Sequence, residues 1–148
     1  MKISENKNLR YTEKKDNLTI RIEAHKKYSN FSLEEWMDKE LPFLSGDIIL
    51  DVGCGNGNFF PAYASKLGNK GAIIGIDQSS ELLAKANVSD HVVPAVLMRG
   101  DMNQPLAFVD DTFDYVISTF AIYYVDRVHQ ILSEIRRVLK PGGEILLI

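Results

Sequence analysis

The chain has 148 residues, 45% of them hydrophobic and 25% charged, which is the size and balance of one globular domain and excludes disordered or collagen-like chains. Its net charge of −3 is unevenly spread: residues 1–27 hold 8 Lys/Arg against 4 Asp/Glu and the remainder holds 9 against 16, an acidic body that argues against a nucleic-acid substrate. No stretch approaches the roughly 18 apolar residues of a membrane span and the polar start lacks an apolar signal core, so a cytoplasmic location is the default expectation.

Residues 1–30 read as a basic N-terminal arm with little periodicity, a kind of run that is more often solvated than functional and that is expected here to order as a lid over bound ligand. The domain proper is expected to occupy residues 31–148. Ser32-Leu33-Glu34-Glu35 is a capping box opening a helix whose Leu33, Trp36, Met37, Leu41 and Leu44 share a face. From Asp47 onward short apolar runs alternate with amphipathic stretches, the pattern of repeated βα units and hence of an α/β fold. The expected architecture is a doubly wound, Rossmann-like parallel sheet with helices on both faces. Five strands are expected at Ile48–Val52, Ala72–Ile76, Ala95–Arg99, Tyr115–Ser118 and Glu144–Ile148. A helix from about Asp126 to Leu139 buries Val128, Ile131, Leu132, Ile135, Val138 and Leu139 and leaves Arg127, Glu134 and Arg137 outside. Pro141-Gly142-Gly143 is expected to end that helix and turn the chain into the last strand.

Chemistry concentrates after the first strand, where Ile49-Leu50-Asp51-Val52 runs into Gly53-Cys54-Gly55-Asn56-Gly57 and then a helix containing Phe59, Phe60, Tyr63 and Leu67. Alternate glycines permit a tight strand-to-helix turn whose backbone approaches a ligand at the carboxyl edge of the sheet, although glycine turns also serve merely to connect elements. A carboxylate at Asp51, inside buried-strand territory, should be hydrogen-bonded to loop amides or to a cationic ligand group. Asp77, closing the second strand, stands where a carboxylate can accept both hydroxyls of a ribose. Dinucleotide binding expects G-x-G-x-x-G, whereas this turn reads G-x-G-x-G behind an acid that would repel a pyrophosphate. The lone cysteine excludes an intramolecular disulfide, and Cys54, His25, His91 and His129 do not fall at metal-ligand spacing.

Asp51-Val52-Gly53-Cys54-Gly55-Asn56-Gly57 resembles motif I of class I S-adenosylmethionine-dependent methyltransferases, in the style of the ubiquinone/menaquinone-methyltransferase-like group. Gly75-Ile76-Asp77-Gln78-Ser79 and Arg99-Gly100-Asp101-Met102 resemble the second and third motifs. Phe113-Asp114-Tyr115-Val116-Ile117-Ser118 and Arg136-Arg137-Val138-Leu139-Lys140-Pro141-Gly142-Gly143 resemble the fourth strand and the approach to the fifth. The likeness covers about Phe31 to Ile148. It implies S-adenosylmethionine as cofactor, with Gly53, Cys54, Gly55 and Gly57 along its methionine portion and Asp51 holding its ammonium group. Asp77 would bind ribose, Gln78 would flank adenine, and Asp101 with Met102 would grip the base. Thr119 and Phe120 would face the methionine part and the reactive methyl, while Phe120, Tyr123 and Tyr124 read equally as packing near the sheet edge. Cys54 reads as a small turn filler rather than a nucleophile.

The resemblance implies methyl transfer to a small-molecule acceptor by in-line displacement. No catalytic base is identified, because relatives often carry a histidine near Tyr123-Tyr124. Family members usually continue past strand five with a helix and an antiparallel pair of strands, whereas this sequence stops within Glu144-Ile145-Leu146-Leu147-Ile148. The expectation is a fragment whose C-terminal strands are missing, with an edge covered by a second copy as the other reading. Two rival functions remain, a non-catalytic S-adenosylmethionine-binding or interaction module and a nicotinamide-dependent oxidoreductase.

Overall fold

A computed structural model of the chain describes residues 23–24, 27–86 and 93–148. It divides into two compact units, Met1–Leu33 and Glu34–Ile148. Most of the basic arm, including His25, and also His91 lie outside the described residues.

Five strands form one sheet in the order β3-β2-β1-β4-β5, and every neighbouring pair is parallel. The strands are β1 (Ile48–Val52), β2 (Ala72–Asp77), β3 (Ala95–Arg99), β4 (Phe113–Ser118) and β5 (Leu139–Leu147). From residue 33 onward, the helices among the described residues are α1 (Leu33–Glu40), α2 (Phe60–Leu67), α3 (Ser80–Leu83) and α4 (Val128–Val138), with a 3-10 turn at Ile122–Tyr124. Side chains alternate across a strand, so Leu50 and Val52 face one side and Ile49 and Asp51 the other. Leu50, Val52, Ile76, Phe113 and Val116 cluster with Ile131, Ile135 and Val138 of α4. On the opposite side α2 buries Phe60, Tyr63 and Leu67, and the Tyr63 phenol reaches Asp51. Helices thus cover both faces, as the βα alternation requires.

Three local expectations need correction. Trp36 and Leu44 are exposed, and the apolar anchors here are Met37, Leu41 and Phe43; Phe43 meets Tyr63 and Tyr115 ring to ring. On α4, Val128 and Leu132 are also exposed, while Glu134 and Arg137 do not simply face solvent. Glu134 accepts the Leu106 amide at 2.8 Å, and Arg137 donates to the Leu106 and Phe108 carbonyls and to Asp110. The pair pins the loop between β3 and β4, which a purely amphipathic reading of the helix misses.

Finally, Pro141-Gly142-Gly143 does not separate α4 from β5. The helix stops at Val138 because the amides of Asp111 and Thr112 take the Arg137 and Val138 carbonyls, and Leu139 is already extended. Phe113 pairs with Leu139 and Tyr115 with Glu144, so the intervening residues bulge out of the ladder. A Cβ on Gly143 would lie 2.8 Å from the Asp114 carbonyl, a closeness only glycine tolerates there.

Candidate functional site

Strand order reverses at β1, whose neighbours β2 and β4 lead to opposite edges of the sheet, and open parallel sheets bind ligands beyond the carboxyl ends of the strands at such a point. Ladder pairing of β1 with β4 ends at Asp51 and Ile117. One residue on, the buried Ser118 hydroxyl donates to the Val52 carbonyl at 2.8 Å. Beyond this fastening the chain enters the glycine loop after β1 and the turn after β4.

The loop is folded back over β2. Gly53 and Cys54 amides both donate to the Ile76 carbonyl, at 2.8 and 3.0 Å, and Gly57 donates to Cys54 at 2.9 Å. Gly53, Gly55 and Gly57 all have positive φ, at 82°, 57° and 72°, where a side chain is strained. At Gly53 a Cβ would also stand 2.3 Å from the Ala121 Cβ, so glycine is what lets the turn after β4 close on the loop. Gly55 has room around it, its added Cβ meeting only Leu82 at 3.8 Å; its backbone conformation is the constraint.

Asp77 braces this loop. One carboxylate oxygen accepts the Gly55 amide and the other the Ser79 amide, each at 2.8 Å. A carboxylate offers about four lone-pair sites, so two remain for another donor. The Gly100 amide donates to the Asp77 carbonyl at 3.0 Å, bringing the end of β3 alongside. Gln78 is exposed, with its carbonyl accepting Arg99 Nε at 3.3 Å. Asp101 is exposed and accepts the Asn103 amide at 2.8 Å. Met102 packs against the core and reaches to 3.6 Å of where a Gly53 Cβ would lie.

Beneath the loop Asp51 is almost fully buried. It takes no loop amide among the described residues, which leaves the cationic ligand group of the two expected partners. Its Oδ2 accepts the Tyr63 hydroxyl at 3.2 Å, and its Oδ1 has no partner among the described residues. Burial pushes its carboxyl up to about 7, the Tyr63 hydrogen bond opposes this, and the Asp77 charge adds to it. The Cys54 thiol is raised by burial and then by Asp51 and Asp77, which suits a filler rather than a thiolate nucleophile. Thr119 is buried with no hydrogen bond to its hydroxyl, yet it stands near enough to Tyr63 to favour the phenolate slightly against the larger effect of burial.

Phe120, just beyond, is exposed and holds a left-handed φ of 54°. Its amide donates to the Ile148 carbonyl at 2.8 Å, and the Ile148 amide donates to Ser118 at 3.1 Å. The Tyr123 and Tyr124 rings meet at a tilt of 49° with centroids 4.5 Å apart. Sequence reasoning missed three members of this region. Tyr63 read only as part of an apolar stripe; the signal was a buried acid in need of a donor. Ser118 read as a strand end. Gly75 read only as the first letter of the second motif, although glycine inside an Ile-rich strand flags close approach: a Cβ would meet Cys54 Sγ and Phe60 Cζ at 2.7 Å.

Residues 50–147 match the family described as Methyltransferase domain. The demethylmenaquinone methyltransferase of Bacillus subtilis is 33% identical over 135 residues, covering 88% of this chain and 54% of its own length. Two solved structures share the fold. A chain in complex with the Haloferax volcanii Trm112 methyltransferase activator has a TM-score of 0.66 at 31% identity, over 76% of this chain and 49% of that one. An S-adenosylmethionine-dependent methyltransferase from Mesorhizobium loti has a TM-score of 0.65 at 29% identity, over 77% and 52%. The chain spans about half the length of the curated relatives it matches. A glycine loop at the switch point of a parallel sheet, braced by Asp77 at the end of β2 and continued by matching sequence to β5, places the chain in the class I S-adenosylmethionine-dependent methyltransferase family.

Proposed function

We propose that the protein transfers a methyl group from S-adenosylmethionine to a small-molecule acceptor. The observation that carries this reading is the orphaned oxygen of Asp51 under the glycine loop. A buried anion with a vacant acceptor is costly alone and favourable beside a cation, and a pyrophosphate would only worsen it. The cradle therefore fits a ligand positive at one end and bearing a diol at the other, and family membership weighs against the nicotinamide reading.

In this proposal Gly53, Cys54, Gly55 and Gly57 line the methionine portion and Asp51 supplies the field for its ammonium group. The free lone pairs of Asp77 accept the ribose hydroxyls, Gln78 flanks adenine, and Asp101 with Met102 contacts the base. Bound S-adenosylmethionine supplies an already activated sulfonium methyl for in-line displacement. What the chain adds is alignment and exclusion of water: Thr119 closes the floor, and Phe120, Tyr123 and Tyr124 offer an aromatic rim against which a flat acceptor would lie. No base is assigned. The Bacillus subtilis relative's name makes a quinone-like ring the first acceptor to try.

Calorimetry with S-adenosylmethionine and S-adenosylhomocysteine, followed by a radiolabelled-methyl assay on demethylmenaquinone and simpler hydroquinones, tests the reading. Binding with label transfer supports it. Binding without transfer to any acceptor favours the non-catalytic module. Preference for NAD would defeat both.

A further inference from the structure

Tyr63 has no part in the family pattern set out above, yet its phenol gives Asp51 the one hydrogen bond that carboxylate receives among the described residues, at 3.2 Å. Both side chains are buried. The groups around Asp51 and its phenol partner are Asp77 ending β2 and Cys54 in the loop, which act on Asp51, and Thr119 after β4, which stands beside Tyr63. Of these, Asp77 repels a charge on Asp51, Cys54 stays a neutral thiol, and the Thr119 hydroxyl favours the charged form of Tyr63 rather than bonding to Asp51. The phenol alone favours the carboxylate form.

We propose that Tyr63 is a positioning residue for Asp51, holding one carboxylate oxygen so that the group can ionise, and that arrival of a cationic ligand over the glycine loop drives one proton off Asp51. Ligand binding is thereby proton-linked near neutral pH. This rests on the function proposed above for its ligand, but not for the behaviour of the free protein.

Two measurements test it on wild type, Y63F, D51N and Y63F/D51N. The first is urea stability of the free protein from pH 5 to 9. Wild type loses stability across the range in which Asp51 ionises. Y63F shifts that loss upward by about half to one pH unit, and D51N abolishes it. The second is S-adenosylmethionine calorimetry in buffers of different ionisation enthalpy, which counts protons released. Wild type binds more tightly as pH rises and releases part of a proton near pH 6 to 7. Y63F binds several-fold more weakly at pH 7 with the deficit closing by pH 9, and D51N releases no proton. An equal loss in Y63F at every pH, an unmoved stability profile, or proton release persisting in D51N overturns the proposal. If Y63F unfolds at pH 8, folding at pH 5.5 or rescue in Y63F/D51N supports it, and unfolding in every background overturns it. Should wild type not bind S-adenosylmethionine, the proposed function fails while the stability profiles still decide the role of Tyr63.

Discussion

Asp51 on β1 and Asp114 on β4 occupy neighbouring strands but opposite ends of the sheet, and they meet opposite fates. Asp114 accepts the Ile48 amide at 2.8 Å and the Lys140 ammonium at 2.8 and 2.9 Å, tying together the starts of β1, β4 and β5. Burial opposes its ionisation, but those donors outweigh burial and hold its carboxyl below the usual range. Asp51 is more deeply enclosed, has one phenol for company and is raised to about 7. The amino-edge acid is finished by the protein, and the carboxyl-edge acid keeps one oxygen without a partner among the described residues. In the function proposed above, that contrast separates a structural carboxylate from a binding one.

The largest effect is expected where the glycine loop meets the turn after β4. Gly53→Val places a Cβ 2.3 Å from Ala121 in a left-handed backbone, and overpacking plus strain should cost about 3 kcal/mol or more. Loss of S-adenosylmethionine binding in calorimetry and a clear drop in Tm are the expected readings; normal affinity would remove the loop from the site. Gly55→Val should also lose binding, but through its φ of 57° and the ligand's proximity, with a smaller drop in Tm because the space beside it is open.

Next comes Asp51→Asn. A carboxyl whose folded pKa of about 7 lies above its ordinary 3.8 holds its proton more tightly folded than unfolded. Its stabilising contribution is full below about 4 and is lost as pH climbs through about 7. The free variant should therefore match wild type near pH 4 or fall slightly below it, and exceed it by a margin that grows up to about pH 7 and persists at pH 8. Affinity for the cationic cofactor should fall by about 1.5–3 kcal/mol at pH 8 and stop rising with pH. Greater stability with weaker binding in one protein is the signature of an acid kept for a ligand.

The sequence made one end of this contrast plain and hid the other. Four of the five strands, the glycine turn and the acids of β1 and β2 were legible because strand hydrophobicity and a G-x-G-x-G turn are local patterns. Asp114 appeared only as one letter of a strand motif, since its partners Ile48 and Lys140 are distant in the chain and close only through parallel pairing. The same holds for Tyr63 beneath Asp51 and for the Glu134–Arg137 clamp on the loop from Leu106 to Asp110. Pro141-Gly142-Gly143 misled because the same dipeptide chemistry that ends helices also builds bulges, and the choice was made by loop amides of Asp111 and Thr112 taking the helix carbonyls.

Asp77 lies between the two extremes, half satisfied by the amides of Gly55 and Ser79. Asp77→Ala should weaken S-adenosylmethionine binding by about 1–3 kcal/mol, part through the lost diol contact and part through the loosened loop. Adenosine, which keeps the ribose and lacks the cation, sharpens the comparison: its affinity should fall in Asp77→Ala and stay unchanged in Asp51→Asn.

The smallest effect is expected at Asp114, and its shape matters more than its size. Because its folded pKa is lowered, its contribution is present above the ordinary carboxylate value and is lost as pH falls through the folded one. Asp114→Asn keeps an oxygen for the Ile48 amide and removes the charge facing Lys140, a pair that is partly exposed and so is expected to be worth only about 0.5–1 kcal/mol. Urea denaturation should show that deficit at pH 7 and convergence with wild type once pH has fallen below the ordinary carboxylate range and the native carboxyl is itself protonated. Cofactor affinity should be unchanged at either end. An affinity loss in Asp114→Asn comparable to that in Asp51→Asn would mean that the two edges of the sheet are coupled, and the separation between a structural and a ligand-facing acid would fall.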